Sequence, residues 1–464
     1  MNMTRRGIIA AGCASIVAGL APRSAWAKTE ADVIVIGAGL AGLHAASLLE
    51  AQGANVVILE ADRRIGGRLY TLDDVPGSPE AGGVQIGSGY SRTLLLTKKH
   101  NITVSPAPVI DRSMLYHING QSVTAADWPA SPANRLTGNE HALPPAALAP
   151  FYGTRLPALD SVDAWMGPGA DRLDIPYSTA LSQAGASREA LRLINANLNG
   201  NSADTISALH IARTSAIFRA SPGQPMMVTG GSQRLPEAMA AALKTPPRLG
   251  QAVIGLREEA GSVTVALANG QSLTARHVIC TVPFSVLRYL HIDAPVAPAL
   301  SKTIDQLPYT RASFAYLSAS EPFWRHDGLP ETIWSDHPLL GRVFVLGDEP
   351  AMLKVWIAGP HTPQIDSMGS AAAAEAIIER IHAARPSSRG KLKLERLFSW
   401  QKNPLARGIY HHIAPGQARL LAAASRAAGK RLHYAGEHLA QRSSGIEAAL
   451  ESGEHSAGAI LRAL

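Results

Sequence analysis

Cysteine is almost missing from this chain: two residues, Cys13 and Cys280, in 464. Thiolate zinc sites and a disulfide framework are therefore excluded. No run of Lys and Arg of the kind that grips nucleic acid occurs, although the net charge is +7. Three of those charges, Arg5, Arg6 and Arg23, lie in the first 27 residues, which contain no acid. Beyond that segment no stretch reaches the roughly 18 consecutive apolar residues that a spanning helix needs. Self-similarity with a period of about 20–50 residues is lacking. The 41 glycines and 31 prolines keep no period, so a collagen-like chain is excluded. What remains is a globular composition, 46% hydrophobic and 17% charged. Its length suits about three domain-sized units or two large ones.

The first residues read as an address. Arg5-Arg6-Gly7 precedes an apolar stretch from Ile8 to Leu20, and Ala25-Trp26-Ala27 offers a small-residue cleavage site. The paired arginines and the short, glycine-interrupted stretch predict twin-arginine export to the periplasm, with residues 1–27 as signal peptide; an ordinary Sec signal, with Arg5-Arg6 as its basic n-region, is the alternative. Cys13 would leave with that segment. Cys280 alone would remain, so the exported protein must rely on its core and its ligand rather than on an internal disulfide.

After this comes a nucleotide-binding start. Ala31–Ile36 is a β-branched run, Gly37-Ala38-Gly39-Leu40-Ala41-Gly42 follows at once, and an apolar helical pattern runs to Gly53. Val56–Leu59 is a second strand that ends in Glu60, 18 residues past Gly42. A glycine signature placed between strand and helix, with an acid at this distance, predicts a Rossmann-type dinucleotide site. Gly37 permits the turn, Gly39 lets the main chain approach a pyrophosphate, and Gly42 lets helix and strand pack closely. The N–H groups at Leu40 and Ala41 begin a helix whose positive end faces the phosphates. Glu60 suits ribose hydroxyls and repels a 2′-phosphate.

Glu60-Ala61-Asp62-Arg63-Arg64-Ile65-Gly66-Gly67-Arg68 extends the motif and resembles the E-A-x-x-R-x-G-G-R of the flavin-containing amine oxidase family, the monoamine oxidase-like FAD enzymes. The resemblance covers most of residues 31–460. Ala81–Gly87 with Ser88 resembles the segment that passes the flavin. Val253 stands at the family's adenine-side position. Gly436-Glu437 and Ser444-Gly445-Ile446-Glu447 resemble the closing motif, in which a helix start supports negative charge on reduced flavin. The implied fold is α/β: a discontinuous Rossmann-like FAD-binding domain (28–95, 225–300 and 395–464) and an α+β substrate domain (96–224 and 301–394). Pro- and Ala-rich 121–160 is expected to be rich in loops, and Ala371–Ala384 helical.

The implied chemistry is oxidation of an amine, with the α-hydrogen passing to flavin N5 and the resulting imine hydrolysed to aldehyde or ketone. Arg64 and Arg68 are assigned to the diphosphate. Tyr410 matches one wall of the amine-flanking aromatic cage. The second wall falls at Gly445, which leaves the cage half open. Ile409 replaces the flavin-linked cysteine, so FAD should be held non-covalently. Glu321-Pro322-Phe323-Trp324 resembles the family's x-P-F-W, and ten residues before its Trp, where members carry a lysine, this chain has Phe314. That puts fast reaction with O2 in doubt and favours an acceptor such as a cytochrome or quinone. Tyr90 stands near where amino-acid oxidases carry a carboxylate-binding Arg, which argues against α-amino acids unless Arg92 takes that place. His411-His412, with His361, either lines the mouth of a site or is a surface pair in a loop. A small-molecule amine is the expected partner; nucleic acid is not, and a homodimer is compatible. Fold alone leaves two alternatives open: a desaturase-like flavoenzyme acting on C–C or C–O bonds, and a non-catalytic flavin-binding homologue.

Overall fold

The computed structural model describes residues 31–107 and 113–464. The expected export signal lies outside these residues. Two seven-stranded sheets organise the chain. The first joins β1 (Ala31–Ile36), β2 (Val56–Leu59), β7 (Val253–Glu258), β8 (Val263–Leu267), β9 (Ser272–Cys280), β10 (His291–Asp293) and β16 (Leu432–Tyr434). Its order is β10-β7-β8-β9-β1-β2, with β16 on β9. Strands β2, β1, β9 and β16 run parallel. The continuous apolar run of β1 is buried along almost its whole length, as expected for a parallel strand covered on both faces.

Helix α1 (Leu40–Ala51) follows β1 directly. It packs against the C-terminal helix, here α4 (Gly445–Leu461). A Cβ at Gly453 of α4 would lie 2.3 Å from the Ala41 carbonyl oxygen, so the two helices meet backbone to backbone. The two ends of the chain thus share one layer over the sheet.

The second sheet has the order β15-β11-β14-β13-β12-β4-β5. Its strands are β4 (Met114–Ile118), β5 (Gln121–Val123), β11 (Ala312–Ala319), β12 (Thr332–Ser335), β13 (Arg342–Asp348), β14 (Ala351–Ala358) and β15 (Leu392–Ser399). One face carries Ala315, Val343 and Val355 against α3 (Ser370–Ala384), whose Ala373, Ile377 and Ile381 form a buried stripe at helical spacing. The other face turns toward the nucleotide sheet. A short ribbon pairs β3 (Val104–Pro106) with β6 (Met226–Val228). Residues 121–160 are mostly irregular, with one short helix, Pro145–Gly153.

Two expected boundaries move. The one at 394/395 falls inside β15, which pairs with β11 and belongs to the second sheet. The one at 95/96 falls inside α2 (Ser91–Lys99). No helix among the described residues is long and apolar enough to cross a membrane.

Candidate active site

Gly37 has φ +103°, a conformation open to glycine, and turns the chain from β1 into α1. A Cβ at Gly42 would sit 2.0 Å from the Gly37 carbonyl oxygen, so the third glycine is fixed by packing. Gly39 differs from both: its φ is ordinary, and a Cβ there would meet nothing within 4 Å. Open space therefore lies in front of a helix N-terminus that has no side-chain cap, with Gly67 across from it, 3.5 Å from the Gly39 Cα on the same construction. Helix starts leave their first N–H groups unpaired and carry partial positive charge. At the edge of this cleft Glu60 is pinned: its carboxylate accepts from Ala38 N–H at 2.7 Å and from Asp62 N–H at 2.8 Å. Burial raises its pKa, and those two donors oppose the rise. Gln251 N–H donates to the Glu60 carbonyl, which brings the start of β7, with half-buried Val253, to the same edge.

The cleft continues to a seam between the two sheets, built around Glu80–Gly83. This segment bonds back to Arg68 and Tyr70 through Gly83 N–H and Ala81 N–H. From the second sheet, Tyr316 Oη and Lys354 Nζ both donate to the Glu80 carbonyl, at 2.8 and 2.7 Å, and Trp400 Nε1 donates to the Ala81 carbonyl at 2.6 Å. Ile446, at the start of α4, approaches Gly83 from the other side. Helix α4 also begins without a side-chain cap.

Beneath the seam lies a buried polar cluster. Arg68 donates to Glu437 Oε1 at 2.7 Å and to the Ile409 carbonyl at 3.2 Å. His411 Nδ1 donates to Glu437 Oε2 at 2.6 Å. Burial opposes the charge of Glu437, but His411 and Arg68 outweigh it and hold the carboxyl well below its usual range. His438 stacks 4.0 Å from the Phe284 ring, and burial pushes its pKa down to about 3. Both His438 nitrogens and His411 Nε2 are buried without a partner. Unspent donors and acceptors of this kind are uncommon in a finished core. With the two uncapped helix starts and the space at Gly39, they fit a dinucleotide whose ring system runs along the seam.

Tyr410 stands at the seam's outer end. Thr310 N–H donates to its carbonyl at 2.8 Å, its hydroxyl lies 3.5 Å from the Asn199 carbonyl, and its ring packs on the cluster holding Phe314, Tyr316 and Trp356. Burial pushes its phenol up to about 12. Gly445 has φ +59°, and the one atom near its missing side chain is Tyr90 Oη, 3.8 Å from the Cβ position. Tyr90 thus closes part of the gap expected there.

Other expected residues have different surroundings. Arg64 is consumed by the carbonyls of Ile65, Gly67 and Leu69 and lies over the Tyr70 ring, so it holds its own loop together and is not a free phosphate ligand. Ser88 is exposed and donates to the Pro222 carbonyl, and Gly87 beside it lies against Ser221 and Tyr90. Arg92 is taken by Glu447 and Glu454. The His411-His412 pair is buried, not superficial, because Glu437 and Thr310 provide inner partners. Phe314 is buried on β11, and Lys354 of the adjacent β14 puts its ammonium over the ring. Burial pushes this ammonium down to about 7. No local motif marks Lys354; strand register alone brings it here.

Comparison with known proteins agrees with this geometry. A model of the flavin containing amine oxidoreductases matches residues 40–461. Flavin-containing amine oxidase B of Bos taurus is 25% identical, over 94% of this chain and 87% of its own. An L-amino-acid oxidase of Siganus canaliculatus is 26% identical, over 92% and 84%. Among solved structures, cyclohexylamine oxidase from Brevibacterium oxydans superposes with a TM-score of 0.77 at 22% identity, covering 93% of this chain and 99% of that one. Putrescine oxidase with bound putrescine gives 0.74 at 20% identity, with coverage of 93% and 99%.

Proposed function

This chain belongs to the flavin-containing amine oxidoreductase family, which uses FAD to act on amines; from that premise we propose that it holds FAD without a covalent link and that its own residues carry the reaction as follows. The N-terminus of α1 at Gly39, Leu40 and Ala41 holds the diphosphate. Glu60 takes the ribose, and Val253 lies on the adenine side. Gly436, Glu437 and the start of α4 at Gly445 and Ile446 lie along the ring system. Ile409 offers no nucleophile for a covalent bond, and the thiol of Cys280 is buried on β9, pushed up to about 12. When bound, FAD supplies the oxidant that accepts a hydride equivalent from the amine's α-carbon.

The protein's share is to orient and to dehydrate. Tyr410 presents a ring face to the amine nitrogen. Phe314, Tyr316 and Trp356 exclude water from the reacting carbon. Lys354, poised near neutrality, holds or releases a proton at Nζ beside them. The imine product then takes up water and yields an aldehyde or ketone. The observation that carries this reading is the position of Tyr410, bonded to Thr310 at the seam and packed on the aromatic cluster that overhangs Glu80–Gly83.

Electrons leave either to O2 or to a cytochrome or quinone acceptor. The paired arginines before Ile8 support export, and hence a periplasmic reaction. The test is an anaerobic panel of amines on the yellow protein, following loss of oxidised-flavin absorbance together with ammonia and aldehyde. A flavin that stays oxidised with every amine would defeat the proposal.

A further inference from the structure

A single row of side chains crosses the seam-facing side of the second sheet. Cross-strand register places Phe398, Phe314, Trp356, Arg342, Trp334 and Tyr116 side by side. Five are aromatic and one is cationic. The next pair along, Tyr316 and Lys354, repeats the pattern.

Arg342 stands apart from the other sequestered arginines. Arg385 is held by Asp327 and by several carbonyls. Arg68 has Glu437, and Arg213 donates to two carbonyls. Among the described residues, Arg342 forms no ion pair. Its polar partner is the side-chain oxygen of Asn199, and its Nε is buried with no acceptor. The rings of Phe344 and Trp356 lie 5.7 and 5.9 Å away, at the outer limit of cation–π attraction. Burial lowers its pKa, and no carboxylate among the described residues opposes that effect. Trp356 Nε1, its neighbour in the row, is a second buried donor with no acceptor.

Position gives these unspent donors a meaning. Asn199 touches both Arg342, through its side chain, and the Tyr410 hydroxyl, through its carbonyl. The guanidinium is therefore one residue removed from the ring that faces the amine. It is half-buried, so it is not closed off from a ligand. A bare cation here disfavours a second ammonium and calls for a planar, acceptor-only anion, which a guanidinium fork matches.

We propose that Arg342, assisted by Trp356 Nε1, anchors a carboxylate on the substrate, so that this enzyme's amines are amino-carboxylates. Arg92, at the start of α2, is already paired with Glu447 and Glu454 and is not free for such an anion. The inference rests on the amine-oxidation reading for the second half of the ligand, and its binding half is tested without turnover.

The oxidised holoenzyme is titrated with benzoate and with its neutral isostere benzamide, following the flavin absorbance and the melting temperature. Benzoate should bind at least about tenfold more tightly, as a charge-assisted pair requires. Arg342→Met should bring the ratio to about unity, and Arg342→Lys, which keeps the charge and loses the fork, should fall between. The unliganded spectrum reports whether the variants keep their flavin. Equal binding of the two ligands by the parent, or a preference that persists in Arg342→Met, overturns the proposal. If neither variant folds, the parent's ratio decides alone. Anaerobic reduction by phenylalanine against phenethylamine, and by 4-aminobutyrate against butylamine, then distinguishes α- from ω-amino acids. A benzoate preference that depends on Arg342, in a protein no amine reduces, supports the anchor and defeats amine oxidation instead.

Discussion

The ammonium of Lys354 lies 4.1 Å from the centroid of the Phe314 ring, although the residues sit on adjacent strands and 40 positions apart. Tyr316 and Trp356 add faces at 5.4 and 5.2 Å, and the Glu80 carbonyl accepts one hydrogen bond from it. The Glu80 carboxylate's charge, with the carbonyl and the ring faces, offsets only part of the cost of drying an ammonium, which is why burial brings it to about 7.

That displacement fixes a sign. Below about pH 7 the lysine is charged in both folded and unfolded chains, and the desolvation cost is complete. Between there and its ordinary value of 10.5 the unfolded chain holds a proton that the fold does not, so stability rises with pH. Lys354→Met should therefore be more stable than the parent at pH 6, by about 1–4 kcal/mol. The difference should shrink steadily toward pH 10. Urea denaturation across that range measures it, and parallel pH profiles for the two proteins would refute the placement.

Gly39 and Gly42 should separate binding from folding. Gly39→Val adds bulk to open space, so the apoprotein should keep its stability within about 0.5 kcal/mol while FAD retention is abolished. Gly42→Ala meets the Gly37 carbonyl and should cost about 2 kcal/mol in the apoprotein. Melting curves of both apoproteins, with flavin content by absorbance, give the comparison. A yellow, fully loaded Gly39→Val protein would remove the diphosphate from α1.

Tyr410→Ala should slow anaerobic flavin reduction by about tenfold or more while FAD affinity changes less. Tyr410→Phe, which keeps the ring face and loses only the long contact to Asn199, should stay within about threefold of the parent. Stopped-flow reduction rates decide this, and equal rates for the alanine variant would take Tyr410 out of the site.

Glu437→Gln should be among the most costly conservative changes, at about 3 kcal/mol or more, because Arg68 and His411 are left buried with a neutral partner. Since the folded carboxyl is held well below its usual range, its contribution is present above the ordinary pKa of about 4.3 and fades as pH falls beneath it. The gap between parent and variant should accordingly narrow in acid. A melting temperature that the substitution leaves unmoved at pH 7 would contradict the cluster.

The sequence is most legible where the constraint is local. Strand, glycine turn and helix follow one another within residues 31–51, and Gly42 is fixed by Gly37 and Val35, a few positions away. Ile377 and Ile381 likewise announce their stripe by helical spacing. The site is harder to read where register and long-range partners decide. Lys354 carries no motif and reaches Phe314 through antiparallel pairing of β11 with β14. His411 is indistinguishable from a surface histidine until Glu437, 26 residues later, is folded beneath it. Arg64 reads as a phosphate ligand because its three carbonyl partners, though close in sequence, meet it only through the bend at Gly66 and Gly67.

The contact between Gly453 and Ala41 has a temporal consequence. A ribosome that has reached Ala435 has made every strand of the nucleotide sheet, yet the helix that lies against α1 and reaches the seam at Ile446 does not exist. The emerging polypeptide can collapse around its two sheets but cannot finish the cradle. Flavin insertion therefore waits for that helix, and a premature stop between residues 435 and 445 would yield a protein that keeps both sheets and has no colour.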